Sequence, residues 1–164
     1  MPLVSIIIPL YNQEDRVAKT LNSVLNQTFK DWECIVVDDH SSDNSLAIVN
    51  KFVERDNRFQ IVSLPDPKRY VAATRNYGLE YAQGQFVNFL DSDDILLPDK
   101  LEIQINEFIR TPKLDVITCQ HARMTKDGLQ YLKFASKQLI RPFAYNLLAQ
   151  CFEYSFCYSL LPNW

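Results

Sequence analysis

Gln85-Phe86-Val87-Asn88-Phe89-Leu90-Asp91-Ser92-Asp93-Asp94-Ile95-Leu96-Leu97 is an apolar run that stops at three carboxylates. A short apolar run bounded by turn residues reads as a buried strand. Carboxylates this close repel one another, so a stable fold must separate them, solvate them or give them a cation. Hard divalent cations take oxygen ligands, and Mg2+ commonly uses one or two protein carboxylates while phosphates fill other positions. These residues alone leave two readings open. One is an acidic metal and phosphate site at the carboxyl end of a central strand. The other is a solvated strand-to-helix turn that Ser92 or Asp94 helps to cap.

The flanking sequence supplies the fold. Leu3 to Ile8 is β-branched and nearly all apolar, as strands buried on both faces are, with Pro9 as its expected end. Asn12 can cap a helix, with Asp15 three residues on in a capping-box-like position. Val17, Leu21, Val24 and Leu25 then give one apolar face, ending near Gln27. Cys34 to Val37 is a second buried strand and runs into Asp38 and Asp39. Leu46, Val49, Phe52 and Val53 mark a second helix, capped by Ser41, Ser42 or Asp43, and Phe59 to Leu64 a third strand. Pro65 to Arg69 is a loop. A third helix is expected over Ala72 to Ala82, closed by Gly84 in the left-handed region. Pro98 should start a fourth in its first turn, with Ile105, Phe108 and Ile109 as its inner face.

Strands alternating with helices imply a mostly parallel, Rossmann-like sheet flanked by helices, an α/β fold. Ligands of such sheets bind outside the carboxyl ends of the strands. Tyr11-Asn12, Asp38-Asp39 and Asp91 to Asp94 all fall at those ends, which favours the metal and phosphate reading over the solvated turn. Gly78 and Gly84 do not make a G-x-G-x-x-G, so a dinucleotide fingerprint or P-loop fails on spacing.

Beyond Val116 to Cys119, a strand by composition, the alternation weakens. Ala122 to Thr125 and Leu129 to Phe134 flank Lys126-Asp127-Gly128, a hairpin turn. Leu139 to Trp164 is aromatic and apolar; a helix closing the core, a membrane-surface or subunit contact, and a piece of a longer domain all remain open. The 164 residues suit a single core. A net charge of −3 argues against a nucleic-acid partner. Cys34, Cys119, Cys151 and Cys157 show no C-x-x-C pair, and His40 and His121 complete no zinc pattern, so buried thiols are expected for Cys34 and Cys119. The N-terminus has no basic n-region, which points to the cytoplasm, and no apolar run is long enough to span a bilayer.

Three motifs in register carry a resemblance. They are Val4-Ser5-Ile6-Ile7-Ile8-Pro9-Leu10-Tyr11-Asn12, Val36-Val37-Asp38-Asp39-His40-Ser41-Ser42-Asp43, and Ala73-Thr74-Arg75-Asn76-Tyr77-Gly78 running on to Phe89-Leu90-Asp91-Ser92-Asp93-Asp94. Together they resemble the nucleotide-sugar-binding half of family-2 inverting glycosyltransferases with the GT-A fold, over roughly residues 3 to 120. The resemblance implies a UDP-sugar donor, a saccharide or lipid-linked acceptor, and Mn2+ or Mg2+. It implies that Pro9 and Tyr11 lie along the nucleotide, with Tyr11 against the uracil ring. Asp39 would accept the uracil N3–H, Asp91 would contact the ribose, and Asp93 would hold the metal. Asp38 and Asp94 would be structural. The chemistry agrees for Asp39: a carboxylate only accepts, so it suits the N–H of uracil and is repelled by the N3 lone pair of cytosine. Arg75 would sit near the nucleotide or its phosphates; from the residues alone it can equally pair with Glu80 or a nearby Asp. Lys68 and Arg69 either close over the phosphates or stay solvated.

The sequence departs from the family at the acceptor side. Inversion needs a general base for the acceptor hydroxyl, and no Glu-Asp pair follows Asp94. The acids after residue 115 are Asp127 and Glu153, neither in a recognisable motif, and the base stays unassigned with Glu153 as its candidate. The expected organisation is therefore a donor-binding part, 1–120, and an incomplete acceptor-side or C-terminal extension, 121–164. A nucleotide-diphosphate binder without turnover is the alternative. A phosphoacceptor signalling domain fails, because the third strand ends in Leu64-Pro65-Asp66 and the fifth closes at Cys119-Gln120 without the Lys it needs. By analogy with the family, the chain would work at the inner face of the membrane as a peripheral contact.

Overall fold

The computed structural model describes residues 1–67, 70–117, 122–125, 128–131 and 160–162, the last three spans by their backbone. Apolar runs become strands β1 (Val4–Leu10), β2 (Trp32–Asp38), β3 (Phe59–Ser63) and β4 (Phe86–Phe89). Between and after them lie α1 (Val17–Leu25), α2 (Ser45–Arg55), α3 (Val71–Leu79) and α4 (Lys100–Arg110). β5 (Ala122–Thr125) and β6 (Gly128–Tyr131) form the expected hairpin, with Thr125 opposite Gly128. β7 (Leu160–Pro162) was not expected from the sequence.

The main sheet has the order β3-β2-β1-β4-β7, with the first four strands parallel and β7 antiparallel on β4. Alternation along the strands sorts the core into two layers. Ile6, Ile8, Leu10, Cys34 and Val36 pack with Val17, Leu21 and Val24 of α1, Val49 and Phe52 of α2, and Leu101, Ile105 and Phe108 of α4. Ile7, Ile35, Val37 and Val87 face the other way, where Tyr77 and Leu79 of α3 cover them. Gly78 lets α3 lie flat, since a Cβ there would come within 2.5 Å of Ile7 Cγ2. Cys34 is a buried free thiol as expected, and burial, with Glu33 adding, pushes its pKa well above the usual range. Cys119, Cys151, Cys157, Lys68, Arg69, Asp127 and Glu153 lie outside the described residues, as does most of the apolar tail.

Several boundaries differ from expectation for identifiable reasons. Pro9 does not end β1, which runs on to Leu10. Ile7 O accepts from Leu90 N at 3.0 Å on the β4 side, while Leu10 O accepts from Asp39 N at 2.9 Å on the β2 side. By alternation Pro9 faces β4 where that strand has already stopped, so its missing N–H costs no ladder bond. Asn12 is not the cap of α1, which begins at Val17. It takes a left-handed φ of 49° and ties the β1–α1 loop to the β2–α2 loop, accepting from Ser42 N at 2.8 Å and donating its own N–H to Ser41 Oγ at 3.1 Å. At the start of α2, Asp43 accepts from Ser45 N at 2.9 Å.

Gly84 is not a left-handed stop; α3 ends at Leu79, five residues earlier. Its need is close approach, because a Cβ would lie 2.5 Å from Ser5 N and 2.7 Å from Ser5 Oγ, the atom that Gly84 N bonds at 2.8 Å. α4 starts at Lys100 rather than at Pro98, whose carbonyl instead accepts from Thr28 N at 2.7 Å. The inner face of α4 is Leu101, Gln104, Ile105 and Phe108, whereas Ile109 is 69% exposed, one step past the buried stripe. Gly84→Ala is expected to destabilise the fold by about 1–3 kcal/mol, the range for forced overpacking, read as a lowered urea midpoint at unchanged slope.

Candidate functional site

β2 and β4 flank β1 on opposite sides, so the strand order turns back at the β1–β4 pair, the place where parallel sheets open a crevice. A cleft of about 400 Å³ lies there. Pro9, Leu10 and Tyr11 leave β1 along one wall, with Gln13 beyond them. Asp39 comes from the end of β2, Val71 and Thr74 from the first turn of α3, and Asp91, Ser92 and Asp93 from the end of β4. The structure thus brings together Pro9, Tyr11, Asp39, Asp91 and Asp93, all expected from the sequence. Tyr11 is 46% exposed, so its ring is open to a partner, whereas Asp39 is 4% exposed at the cleft floor.

The two aspartates at the end of β2 are divided in their work. Asp38 is buried, and both its oxygens accept from Ser41 N, at 3.1 and 3.2 Å, which holds the β2–α2 turn. His40 completes the turn with φ 60° and its Nε2 3.0 Å from Leu64 O. Asp39 is left facing the cleft.

The segment after β4 is held by a polar stripe formed by Thr20 and Ser23 of α1 and by Gln27 just past its end. Thr20 Oγ1 donates to Ser92 O at 2.9 Å, and Leu96 N donates to Ser23 Oγ at 3.1 Å. Gln27 donates to Leu97 O at 2.7 Å and accepts from Leu101 N at 3.1 Å. Thr20, Ser23 and Gln27 recur at helical spacing beside the apolar face and are all buried. Asp94 N closes the turn onto Asp91 O at 3.1 Å.

Asp91 and Asp93 each have their own arginine. Arg75 Nη2 lies 2.6 Å from Asp91 Oδ1, and its guanidinium sits 5.5 Å from the Phe89 ring centroid. Arg75 therefore stands behind Asp91 rather than on the cleft wall, the pairing with a nearby Asp that the residues had left open. Arg16 Nη1 lies 3.1 Å from Asp93 Oδ2. Arg16, Gln13, Val71 and Thr74 were not singled out in the sequence. The one signal for Arg16 was a basic residue at a helix start, where acids are favoured.

Among the described residues Asp94 has no such ion pair, and its carboxyl is pushed up to about 6. Crowding that strips its solvent comes first, then repulsion from Asp93 and from Asp91. Among the described residues no three His, Cys, Asp or Glu side chains are grouped to hold a metal. Asp93, on the cleft wall with Oδ1 unbonded to Arg16, fits a cation that takes one carboxylate and draws its other oxygens from phosphates. It does not fit a cage made of protein alone.

The fold and cleft define an α/β protein with a cleft at the carboxyl ends of a parallel sheet. A model described as glycosyl transferase family 2 matches residues 5–159, and the chain belongs to that family. The putative teichuronic acid biosynthesis glycosyltransferase TuaG of Bacillus subtilis is 41% identical over 133 residues, 81% of this chain and 52% of that protein. Escherichia coli WfgD, a UDP-Glc:alpha-D-GlcNAc-diphosphoundecaprenol beta-1,3-glucosyltransferase, is 44% identical over 108 residues, 66% of this chain and 42% of its own length. The chain thus spans about half the length of these relatives. S. aureus TarS 1-349 in complex with UDP-GlcNAc superposes with a TM-score of 0.68 at 32% identity, covering 74% of this chain and 34% of that one. The fold is the GT-A fold that the sequence motifs implied.

A carboxyl raised above its unfolded value keeps its proton in the fold after the unfolded chain has lost it. Asp94 therefore favours the fold below about pH 4 and withdraws that support as pH rises to about 6. Asp94→Asn is expected to raise the melting temperature at pH 7 by about 2–4 °C, the equivalent of about 1 kcal/mol after solvent screening. At pH 4 the two proteins should melt together, as parallel thermal scans will check.

Proposed function

We propose that the chain is the donor-binding part of a glycosyltransferase that moves a sugar from a UDP-sugar to an acceptor hydroxyl, with inversion and with help from a divalent metal. The observation that carries this is the meeting of Tyr11, Asp39, Asp91 and Asp93 in one cleft at the β1–β4 crevice. TarS is solved in complex with UDP and with UDP-GlcNAc, and WfgD is named for UDP-Glc, which supports a UDP donor.

On this reading the uracil stacks on the open face of Tyr11, beside Pro9, and gives its N3–H to Asp39. Asp91 accepts from the ribose hydroxyls, its carboxylate held in place by Arg75 from behind. Asp93 would hold Mn2+ or Mg2+ against the diphosphate, and such an ion, when bound, supplies Lewis-acid stabilisation to the leaving group. In the transfer, the bond from the anomeric carbon to the diphosphate oxygen breaks and a bond to the acceptor oxygen forms. The acceptor proton passes to a base and UDP leaves. Residues 1–120 serve the donor in this reading, and residues 121–164 begin the acceptor side.

The acceptor is proposed to be a saccharide, lipid-linked as the name of WfgD specifies for that enzyme. On this reading the work is proposed to lie at the cytoplasmic membrane face, through peripheral contact. No described helix is long and apolar enough to cross a membrane. A nucleotide-diphosphate binder without turnover is the second reading. It is favoured by one feature of the sequence: no Glu-Asp pair follows Asp94.

Calorimetric titration with UDP should show binding that strengthens with Mn2+, and Asp93→Ala should abolish the metal's contribution while UDP alone still binds. No heat with UDP and Mn2+ together would sink the donor reading. UDP release from a UDP-sugar, absent despite binding, would select the reading without turnover.

A further inference from the structure

The two ion pairs of the acidic cluster differ in kind. Arg75 is 17% exposed, bonds Asp91 at 2.6 Å and stacks on Phe89, a pairing fixed by packing. Arg16 is 61% exposed and meets an Asp93 that is 40% exposed, at 3.1 Å. It stands at the N-cap of α1 and makes no side-chain capping bond there. A cation at that end opposes the helix dipole, and an exposed pair adds little to stability. The fold gains little from this arginine. Its guanidinium does, however, lie against the carboxylate assigned above to the metal. A dication seated on Asp93 would face that guanidinium a few ångströms away, and the two like charges repel.

We propose that Arg16 is an affinity-setting residue of the donor site, an internal counter-cation that Asp93 exchanges for a divalent metal when a diphosphate arrives with it. The inference rests on the assignment of Asp93 to the metal. Metal alone must push Arg16 aside with nothing to receive it. Metal and diphosphate together bring anionic oxygens, to which a planar guanidinium bonds well. Arg16 thereby makes metal binding conditional on the nucleotide, and the loop that carries it is firmly placed to do so. Gln13 O accepts from Arg16 N and Val17 N at 3.0 and 2.9 Å, and Gln13 N donates to Ser45 Oγ at 2.8 Å.

The test is calorimetric titration of the full chain with Mn2+, without and with saturating UDP. Arg16→Gln should bind Mn2+ alone about two- to five-fold more tightly, the scale of an exposed pair. The enhancement of Mn2+ binding by UDP should shrink by a similar factor. Lys19→Gln removes the same charge one turn along α1 and should leave both quantities near wild type. The inference is overturned if Arg16→Gln leaves the affinity for Mn2+ alone unchanged or weaker. It is equally overturned if Lys19→Gln tightens it as much, which would make the effect one of net charge. If Asp93→Ala keeps wild-type Mn2+ affinity in the presence of UDP, the metal assignment itself fails and Arg16 loses its role with it. Arg16 is exposed, so unchanged melting of Arg16→Gln is the control that these shifts report binding.

Discussion

Irregular backbone beside a buried core must find hydrogen-bond partners that neither a helix nor a ladder supplies. In this chain the segment from Asp91 to Leu101 carries that requirement, and α1 with Gln27 just past its end meets it. Thr20, Ser23 and Gln27 reach the backbone of Ser92, Leu96, Leu97 and Leu101 in sequence, each from a buried position. The stripe works only in one rotation of α1. That rotation is fixed by Val17, Leu21 and Val24 packing against the sheet. The segment that carries Asp91 and Asp93 is thus anchored by a helix that contributes no acid to the cleft.

The same arrangement explains how three carboxylates coexist at one strand end. The turn closed by Asp94 N on Asp91 O spreads them around a bend rather than along a strand. Asp91 and Asp93 each take an arginine from a different element, α3 and the start of α1. Asp94 takes the remaining strain as a raised pKa. The repulsion visible in the sequence is therefore distributed rather than removed. Two acids are neutralised, one is partly protonated near pH 6, and the cleft keeps its acceptors.

The apolar strands were legible because Ile6 to Ile8 and Cys34 to Val37 admit no other placement at that length, and their acidic ends followed from parallel order. What was misread turned on tertiary partners. Pro9 counts as a strand breaker only where a neighbour needs its N–H, and β4 has ended there. Asn12 looked like a cap because its side chain suits one, but in the fold it accepts from Ser42 N on another loop. Gly84 has two possible reasons to be glycine, and only the approach of Ser5 decides between them. The stripe on α1 and the pairing of Arg16 were invisible for the same cause. A polar residue shows its partner only when a distant segment arrives.

β4 would be the edge of the sheet on the cleft side without β7. An exposed edge strand invites pairing with other chains, and three residues of β7 meet it by pairing antiparallel with Phe86 to Asn88. Direction matters here more than length. The parallel strands deliver their carboxyl ends to the cleft, and Asp39 and Asp91 follow directly from those ends. β7 begins level with Asn88, near the cleft end of β4, and runs away from it to Pro162, so its amino end is the one on the cleft side. A sheet of this order gathers Asp39, Asp91 and Asp93 in one cleft from the ends of strands that precede residue 95. β7, running the opposite way, presents its amino end rather than its carboxyl end beside them.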